Sequence, residues 1–230
     1  MCGIVGYLGG RNCVQTLVDG LRRLEYRGYD SAGIAVLDGK ELRVIKAKGK
    51  VSELQKKIQA EWPDYASSKA HEGIAHTRWA THGAPTEINA HPHCDGTGKF
   101  TMVHNGIIEN YAALKKNLEA KGHSFKSQTD SEVLVHLISE CYAGDFVQAV
   151  AAALKQVEGT FGIAVLSTDH PGQMVVARRG SPIVLGIGEK ENIVASDISA
   201  IIAYTKRVIY LNDDDIALLT KDSVNIRNID

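Results

Sequence analysis

Cys2, the second residue of the chain, has the chemistry of a nucleophile that carries its own base. Methionine aminopeptidases remove Met1 when the next residue is small, and the mature chain would then begin with Cys2. A free α-amine has a pKa of about 7.7–8.0, so it can accept the thiol proton directly or through water. The alternative is an incidental small residue on a strand, which a Met-Cys start by itself favours.

The segment 76–83, His-Thr-Arg-Trp-Ala-Thr-His-Gly, gathers polar side chains at the end of an apolar strand. Strand ends that open into loops are common places for binding groups. Arg78 offers a planar guanidinium that can hold a carboxylate through two hydrogen bonds. The competing interpretation is a surface arginine beside a half-buried Trp79 at a sheet edge, and these residues alone favour neither.

Two later motifs also have a chemical and a purely structural interpretation. Asn105-Gly106 after an apolar strand is typical of a tight turn, although an amide beside an open backbone N–H also suits an oxyanion hole. Asp130 begins a predicted helix, where the helix dipole favours an ionised carboxylate that could bind an ammonium group. The alternative there is a simple capping box from Thr129 to Glu132.

The histidines and cysteines do not favour a metal site. The run His91-Pro92-His93-Cys94 invites one, but zinc needs three or four ligands at defined spacing. No C-x-x-C, H-x-x-x-H or H-E-x-x-H pattern occurs. Cys13, Cys94 and Cys141 are therefore expected to be reduced, small buried hydrophobes. The glycine-rich stretches match neither a Rossmann fingerprint nor a Walker A loop.

The elements that must position these groups follow from apolar periodicity. Helices are predicted at 14–24 after an Asn12 cap, from a Ser52–Gln55 capping box, from Asn110 to Gly122, from Thr129, and over 146–157. Strands are predicted at 4–8, 34–37, 41–47, 74–78, 100–104, 161–166, 174–177, 183–187, 193–195, 208–211, 216–219 and 223–227. Helices in the middle with strands before and after indicate an α+β fold, and we expect one domain over residues 1–230.

Composition excludes several classes of protein. The chain has 230 residues, 44% hydrophobic and 23% charged, as in an ordinary packed protein. Lys plus Arg is 26 and Asp plus Glu is 27, a net charge of −1, so nothing indicates nucleic acid or an anionic membrane as partner. No run of about 18 apolar residues and no signal peptide is present, and a cytoplasmic protein is expected.

Taken together and in order, six segments resemble the class II glutamine amidotransferase domain, an N-terminal nucleophile hydrolase. The segments are Met1–Gly6, Tyr26–Gly33, His76–Gly83, Asn89–His93, His104–Asn110 and Thr129–Glu132. The resemblance covers essentially the whole chain. Within the family, the Arg27–Ser31 loop and the Trp79/His82 pairing are more similar to the amino-sugar branch, the glucosamine-6-phosphate synthases, than to the purine-pathway branch.

The resemblance implies a four-layer αββα sandwich and a role for each motif in hydrolysing L-glutamine to glutamate and ammonia. Cys2 would be the nucleophile, and Asn105 with Gly106 the oxyanion hole. Arg78 would bind the substrate α-carboxylate and Asp130 its α-ammonium. The resemblance further implies that Thr81 and His82 line the pocket and that the loop with Trp79 closes over it. No metal or organic cofactor is expected.

The resemblance also carries expectations about processing and partners. Met1 must be removed, because an acylated Cys2 amine cannot act as a base. The resemblance implies that a C-terminal sugar-phosphate isomerase domain follows the glutaminase. In the intact enzyme the ammonia would pass to fructose 6-phosphate. The full-length enzyme could also form a homodimer. We therefore expect this chain to be one domain of a longer synthase. Two alternatives stay open: a glutaminase domain of another amidotransferase, and a non-catalytic glutamine- or metal-binding module.

Overall fold

The structure, a computed structural model, describes residues 2–79 and 83–230. The described residues form two antiparallel sheets. Sheet I is seven-stranded over these residues, in the order β11 (Val208–Tyr210), β9 (Val184–Ile187), β10 (Asn192–Ala195), β1 (Gly3–Leu8), β4 (Ala70–Arg78), β2 (Ser31–Asp38) and β3 (Glu41–Lys48). Sheet II is six-stranded over the same residues, in the order β13 (Val224–Asn228), β12 (Asp215–Leu219), β8 (Met174–Arg179), β7 (Gly159–Ser167), β6 (Phe100–Ile108) and β5 (His93–Cys94).

The helices lie on the two outer faces. On sheet I pack α1 (Val14–Leu24) and α2 (Val51–Glu61), and on sheet II pack α3 (Tyr111–Ala120), α4 (Asp130–Glu140) and α5 (Phe146–Leu154). In α1, the spacing of Leu17, Leu21 and Leu24 puts all three side chains in the core. Burying such a side chain contributes roughly 1.5–3 kcal/mol. Within the described residues, no helix is long and apolar enough to cross a membrane.

A third apolar cluster lies between the sheets. It includes Ile4 and Ile74 from sheet I and Val103 and Val176 from sheet II. Because each sheet is covered on one face by helices and on the other by its partner sheet, its central strands are buried on both faces. That is why β1, β2 and β7 appear in the sequence as nearly continuous apolar runs. The layer order of helices, sheet, sheet and helices confirms the predicted α+β, αββα sandwich.

The sheet topology brings distant motifs to one end of the sandwich. In sheet I, β1 and β4 are antiparallel with Gly3 opposite Thr77, so Cys2 at the start of β1 lies beside the end of β4. In sheet II, the last residues of β6 reach the same end and carry Asn105 and Gly106.

The expectation of a tight turn at Asn105-Gly106 is wrong. The predicted strand 100–104 continues to Ile108, with Asn105 opposite Gly162 and Gly106 opposite Phe161 on β7. The pairing with β7 therefore overrides the local preference of the Asn-Gly pair for a turn.

Helix capping also differs from expectation in places. The cap at Ser52 is wrong, because α2 begins at Val51 and the Val51 N–H donates to the Glu25 carboxylate at 2.8 Å. At α4, Thr129 Oγ1 accepts from the Glu132 N–H at 3.3 Å, as a capping box requires. The Glu132 carboxylate instead accepts from the backbone N–H groups of Lys126 and Ser127. At α2 a contact from a distant part of the chain thus replaces the predicted local cap, whereas at α4 half of the capping box is present.

Glu72 is a buried acid at the opposite end of β4 from Arg78. One carboxyl oxygen accepts the Gly172 N–H at 2.8 Å, which ties sheet I to the turn between β7 and β8. The other oxygen, Oε2, is buried and has no hydrogen-bond partner within residues 2–79 and 83–230. Burial raises the pKa of Glu72 from 4.5 to about 7, and the Gly172 bond opposes this only in part.

We predict that Glu72→Gln flattens the pH dependence of stability. A raised folded pKa means that the native state holds this proton more tightly than the unfolded chain. The contribution is fully present below pH 4.5 and is lost as the pH rises through about 7. The free energy of unfolding of the variant should therefore exceed that of the parent at pH 8, measured by urea titration. The exposed Glu119→Gln is the control, and an equal pH slope in parent and Glu72→Gln would contradict the prediction.

Candidate active site

Six of the eight predicted site residues line one cavity of about 420 Å³ at the ends of β1, β4 and β6. They are Cys2, Arg78, Trp79, Asn105, Gly106 and Asp130. Thr81 and His82 lie outside the described residues, so their place in the pocket stays a prediction. The cavity is also lined by residues for which the sequence analysis proposed no role here: Arg27, His91, His104, Ile107, Thr129, Ser131, Thr160, Ser181 and Pro182.

The thiol of Cys2 lies against the end of β4. The Trp79 backbone N–H donates to Sγ at 3.2 Å, and Sγ lies 3.5 Å from the Trp79 carbonyl oxygen. Burial raises the pKa of the Cys2 thiol; the Trp79 hydrogen bond opposes that, and the charges of Asp30 and Arg78 act in opposite directions. The thiol is therefore neutral near pH 7, and its use as a nucleophile requires a base close by.

Asn105 is held by its neighbours at both ends of its amide. Its Oδ1 lies 2.9 Å from Nε2 of His76, and its Nδ2 donates to the Cys2 carbonyl at 3.2 Å. An amide carries two N–H donors. Within the described part of the chain, no acceptor is bonded to the second donor, which is thus available to a ligand in the cavity.

Gly106 occupies a position that only glycine tolerates. Its φ is +127°, in the region that side chains disfavour. A Cβ built here would also collide with the carbonyl oxygen of Thr160 on the neighbouring strand. Gly106 therefore lets β6 approach β7 closely at this point, and the role of its N–H in an oxyanion hole stays a prediction.

Asp130 is the first residue of α4 and is tied to β6. Its Oδ2 accepts the Ile108 N–H at 2.8 Å. Ser131 Oγ lies 2.8 Å from Nδ1 of His104 and 3.4 Å from Oδ1 of Asp130. Nε2 of His104 faces the Thr160 carbonyl oxygen, which can only accept, so Nε2 carries the hydrogen and Nδ1 accepts the Ser131 hydroxyl proton. Oδ1 of Asp130 is then not consumed by Ser131, and the carboxylate has an oxygen for a cationic ligand.

Arg78 is buried, only 3% exposed, which makes the interpretation as a surface arginine wrong. Its guanidinium donates to the carbonyls of Gly83 and Ala84 at 3.2 and 3.1 Å and lies 3.9 Å from Asp30. A desolvated guanidinium in a cavity is attracted to an anion more strongly than one in water. Arg78 and Asp130 thus supply one cation and one anion to the same cavity.

Trp79 is 54% exposed, close to the half-buried tryptophan of the competing interpretation. Its indole lies over Gly28, where a Cβ would come within 2.8 Å of the ring. Gly28 has a φ of +93°, so it serves both the turn and the close approach of the ring. The indole therefore borders the cavity, and its predicted closing motion stays a prediction.

The histidine motif at 91–93 is part of the packing between the sheets. The ring of His91 stacks on His76 with 4.0 Å between centroids, and its Nδ1 accepts the His104 N–H at 3.3 Å. His93 bonds Thr129 Oγ1 at 3.1 Å. Burial lowers the pKa of His91 and of His93, so these rings are neutral. Over residues 2–79 and 83–230, no three His, Cys, Asp or Glu side chains are grouped to hold a metal ion.

The other cysteines match the expectation only in part. All three are free, but Cys13 is buried whereas Cys94 and Cys141 are partly exposed.

Two residues in this region were missed as supporting groups. His76 bonds Asn105, and Asn89 links the loop after Gly83 to the segment before α4, through Ala84 O at 3.0 Å and the Gln128 N–H at 2.9 Å. Both are polar and buried. A buried polar group needs a partner, so their presence in apolar surroundings is the signal that could have found them.

Comparisons with known proteins show which proteins the whole chain is similar to. The profile described as a glutamine amidotransferase domain matches residues 76–203. A protein of Thermus thermophilus named glutamine–fructose-6-phosphate aminotransferase (isomerizing) is 52% identical over all 230 residues. Proteins of the same name from Aquifex aeolicus and Thermococcus kodakarensis are 51% and 49% identical. The chain spans 37–38% of the length of these relatives.

Solved structures show the same fold. The glutamine phosphoribosylpyrophosphate amidotransferase of B. subtilis aligns over 100% of this chain and 49% of its own, with a TM-score of 0.83 and 24% identity. A structure described as the allosteric regulatory enzyme of purine biosynthesis aligns over the same shares with a TM-score of 0.85. Since the family profile covers more than half of the chain, the chain belongs to the glutamine amidotransferase domain family.

Proposed function

We propose that this chain hydrolyses L-glutamine to glutamate and ammonia with Cys2 as the nucleophile. The observation that carries the proposal is the joint lining of one cavity by a thiol, an amide donor, a buried guanidinium and a carboxylate. Arg78 and Asp130 match the carboxylate and ammonium of an amino-acid head group. Cys2 and Asn105 match the attack on its side-chain amide.

The reaction follows from these groups. Once Met1 is removed, the α-amine of Cys2 takes the thiol proton and the thiolate attacks the amide carbon of glutamine. The oxyanion accepts hydrogen bonds from Asn105 Nδ2–H and the Gly106 N–H. The protonated amine then gives its proton to the leaving nitrogen, ammonia departs, and a γ-glutamyl thioester remains. The same amine deprotonates a water molecule that attacks the thioester, which releases glutamate and restores the thiol.

We further propose that the chain, as one domain over residues 1–230, serves a longer amino-sugar synthase. The relatives that support this are named glutamine–fructose-6-phosphate aminotransferase, and the chain spans about 37% of their length. The ammonia would then pass to fructose 6-phosphate in a C-terminal sugar-phosphate isomerase domain. The alternatives are a glutaminase domain of another amidotransferase and a binding module without turnover. Ammonia release from glutamine, measured with and without a chelator, separates these possibilities. Release that a chelator does not change would exclude the binding module, and no release would support it.

Cys2→Ala should abolish glutamine hydrolysis without unfolding the domain, because it removes one sulfur atom at the edge of a strand. A chain extended by one residue before Cys2 should be almost as inactive, since its nitrogen is then an amide. Glutamate production, intact mass and melting temperature are the measurements. Cys141→Ala, far along the sequence in a partly exposed position, is the matched control. Fully active protein that still carries Met1 would exclude the N-terminal base.

Substitutions in the recognition pair and in the oxyanion hole should affect different kinetic constants. Arg78→Ala or Asp130→Ala should lower kcat/KM by roughly one to two decades, mostly through KM, because both groups bind ground and transition state alike. Asn105→Ala should instead lower kcat by about 10²–10³. Steady-state kinetics separate the two effects. A pure KM effect at Asn105 with a pure kcat effect at Arg78 would reverse the roles.

The 230-residue chain should release ammonia from glutamine yet make no glucosamine 6-phosphate from fructose 6-phosphate. The candidate groups Cys2, Arg78, Asn105, Gly106 and Asp130 are all assigned to glutamine, and an isomerisation needs its own acid–base pair. Added ammonium should not restore synthesis, and fructose 6-phosphate should not stimulate glutamate production. Mass spectrometry for the amino sugar, beside a glutamate assay, measures both. Amino-sugar formation by this chain alone would show that residues 1–230 include an acceptor site.

A further inference from the structure

The amide of Asn105 can work as an oxyanion donor in only one of its two orientations. In the orientation present, Oδ1 faces Nε2 of His76 at 2.9 Å and Nδ2 faces the Cys2 carbonyl at 3.2 Å. A rotation of the amide by 180° would set Oδ1 against the Cys2 carbonyl oxygen and Nδ2 against a ring N–H. Both contacts would be repulsive. The Cys2 carbonyl and the group that bonds Oδ1 together determine which atom reaches the cavity.

That group is His76, and its tautomer is determined by its surroundings. Nε2 lies 3.1 Å from the His104 carbonyl oxygen as well as 2.9 Å from Asn105 Oδ1. Both oxygens can only accept, so Nε2 carries the hydrogen and is shared between them. Nδ1 is buried and has no hydrogen-bond partner among the residues that the structure describes, which suits the unprotonated nitrogen of a neutral ring. Burial lowers the pKa of His76 to about 3, so the ring stays neutral at any working pH.

The imidazole itself is held firmly and does not reach the substrate. His76 is 1% exposed, and its ring stacks on His91 at 4.0 Å with an angle of 20° between the planes. It does not line the cavity that Cys2 and Asn105 share. Any effect of His76 on the reaction must therefore be exerted through a residue that does line it.

We propose that His76 is a positioning residue, whose Nε2–H fixes the Asn105 amide so that its second N–H points at the oxyanion. The inference rests on the proposed function and deepens it. The hydrogen bond from His76 to Asn105 connects the two sheets at the end where Cys2 lies, since His76 is on β4 and Asn105 is on β6. An imidazole that merely filled space there would need neither this tautomer nor this bond.

The first test is His76→Phe, which keeps an aromatic ring for His91 and removes the donor. We expect kcat to fall at least about 10-fold, but no further than in Asn105→Ala, with KM changed less than about 2-fold. The double variant His76→Phe/Asn105→Ala should be no slower than Asn105→Ala alone, because the effect passes through Asn105. If the fold-losses in kcat of the two single variants multiplied in the double variant, the proposal would be overturned.

The matched pair His76→Gln and His76→Asn tests the position of the donor, and it applies even where Phe is not tolerated. The Gln amide nitrogen is the same number of bonds from Cβ as Nε2 of histidine, whereas the Asn nitrogen is one bond short. At equal melting temperatures, Gln should restore most of kcat and Asn should not. Equal activity in the two variants would overturn the proposal.

The outcomes for the parent chain keep the two proposals distinct. A processed parent that releases no glutamate from glutamine contradicts the proposed function itself. An active parent with an impaired Asn105→Ala variant, combined with full activity in His76→Phe, contradicts only the role of His76.

Discussion

The site depends on the pairing of β1 inside sheet I. This strand is flanked on both sides, by β4 with Gly3 opposite Thr77 and by β10 with Val5 opposite Ala195. The Ile4 N–H also donates to Ser196 Oγ at 3.0 Å, and the Ser196 N–H donates to the Ile4 carbonyl. A residue directly before such a strand has little freedom, although it stands at a chain end, where disorder is usual. The pairing therefore holds the Cys2 thiol beside the end of β4 and keeps it in reach of a fixed cavity.

Burial then determines which groups near the thiol can carry charge. His76, His91, His93 and His104 are close together, and desolvation is the first cause that lowers the pKa of each. The hydrogen bond to Asn105 raises the pKa of His76 and the charge of Asp130 raises that of His104, but neither effect outweighs desolvation. Neutral rings donate and accept hydrogen bonds without adding charge. Arg78 and Asp130, beside Arg27, then carry the charges of the cavity, and an amino-acid zwitterion requires one charge of each sign.

The sequence predicted most of the elements, and two of the exceptions share one physical cause. Strands buried on both faces are visible as apolar runs, and α1 is visible from its leucine spacing. The expected turn at Asn105-Gly106 failed because β7 pairs with these residues from more than fifty positions away. The expected cap at Ser52 failed because Glu25 supplies an acceptor from outside the helix. Both contacts are tertiary, and no local pattern contains them.

The candidate site shows the same division. Each motif taken alone had an equal or better structural alternative, and only their joint order indicated glutamine chemistry. The order of the motifs along the chain does not show that their side chains meet. The structure shows that six of the predicted residues line one cavity. His76 was missed because its partner lies 29 positions away on the other sheet. Spacing along one strand carries no information about a residue that faces it from another layer.

The two sheets contribute different halves of the proposed chemistry. Sheet I supplies Cys2 and Arg78, whereas sheet II and its helix supply Asn105, Gly106 and Asp130. The distance from the nucleophile to the oxyanion donors is therefore a distance between layers, and the apolar cluster that contains Ile74 and Val103 sets it. The hydrogen bond from Asn105 Nδ2 to the Cys2 carbonyl and the one from His76 Nε2–H to Asn105 Oδ1 cross the same gap. Because a close-packed interior transmits small shifts, a cavity left by truncating a core side chain between the sheets would alter attack geometry as well as stability.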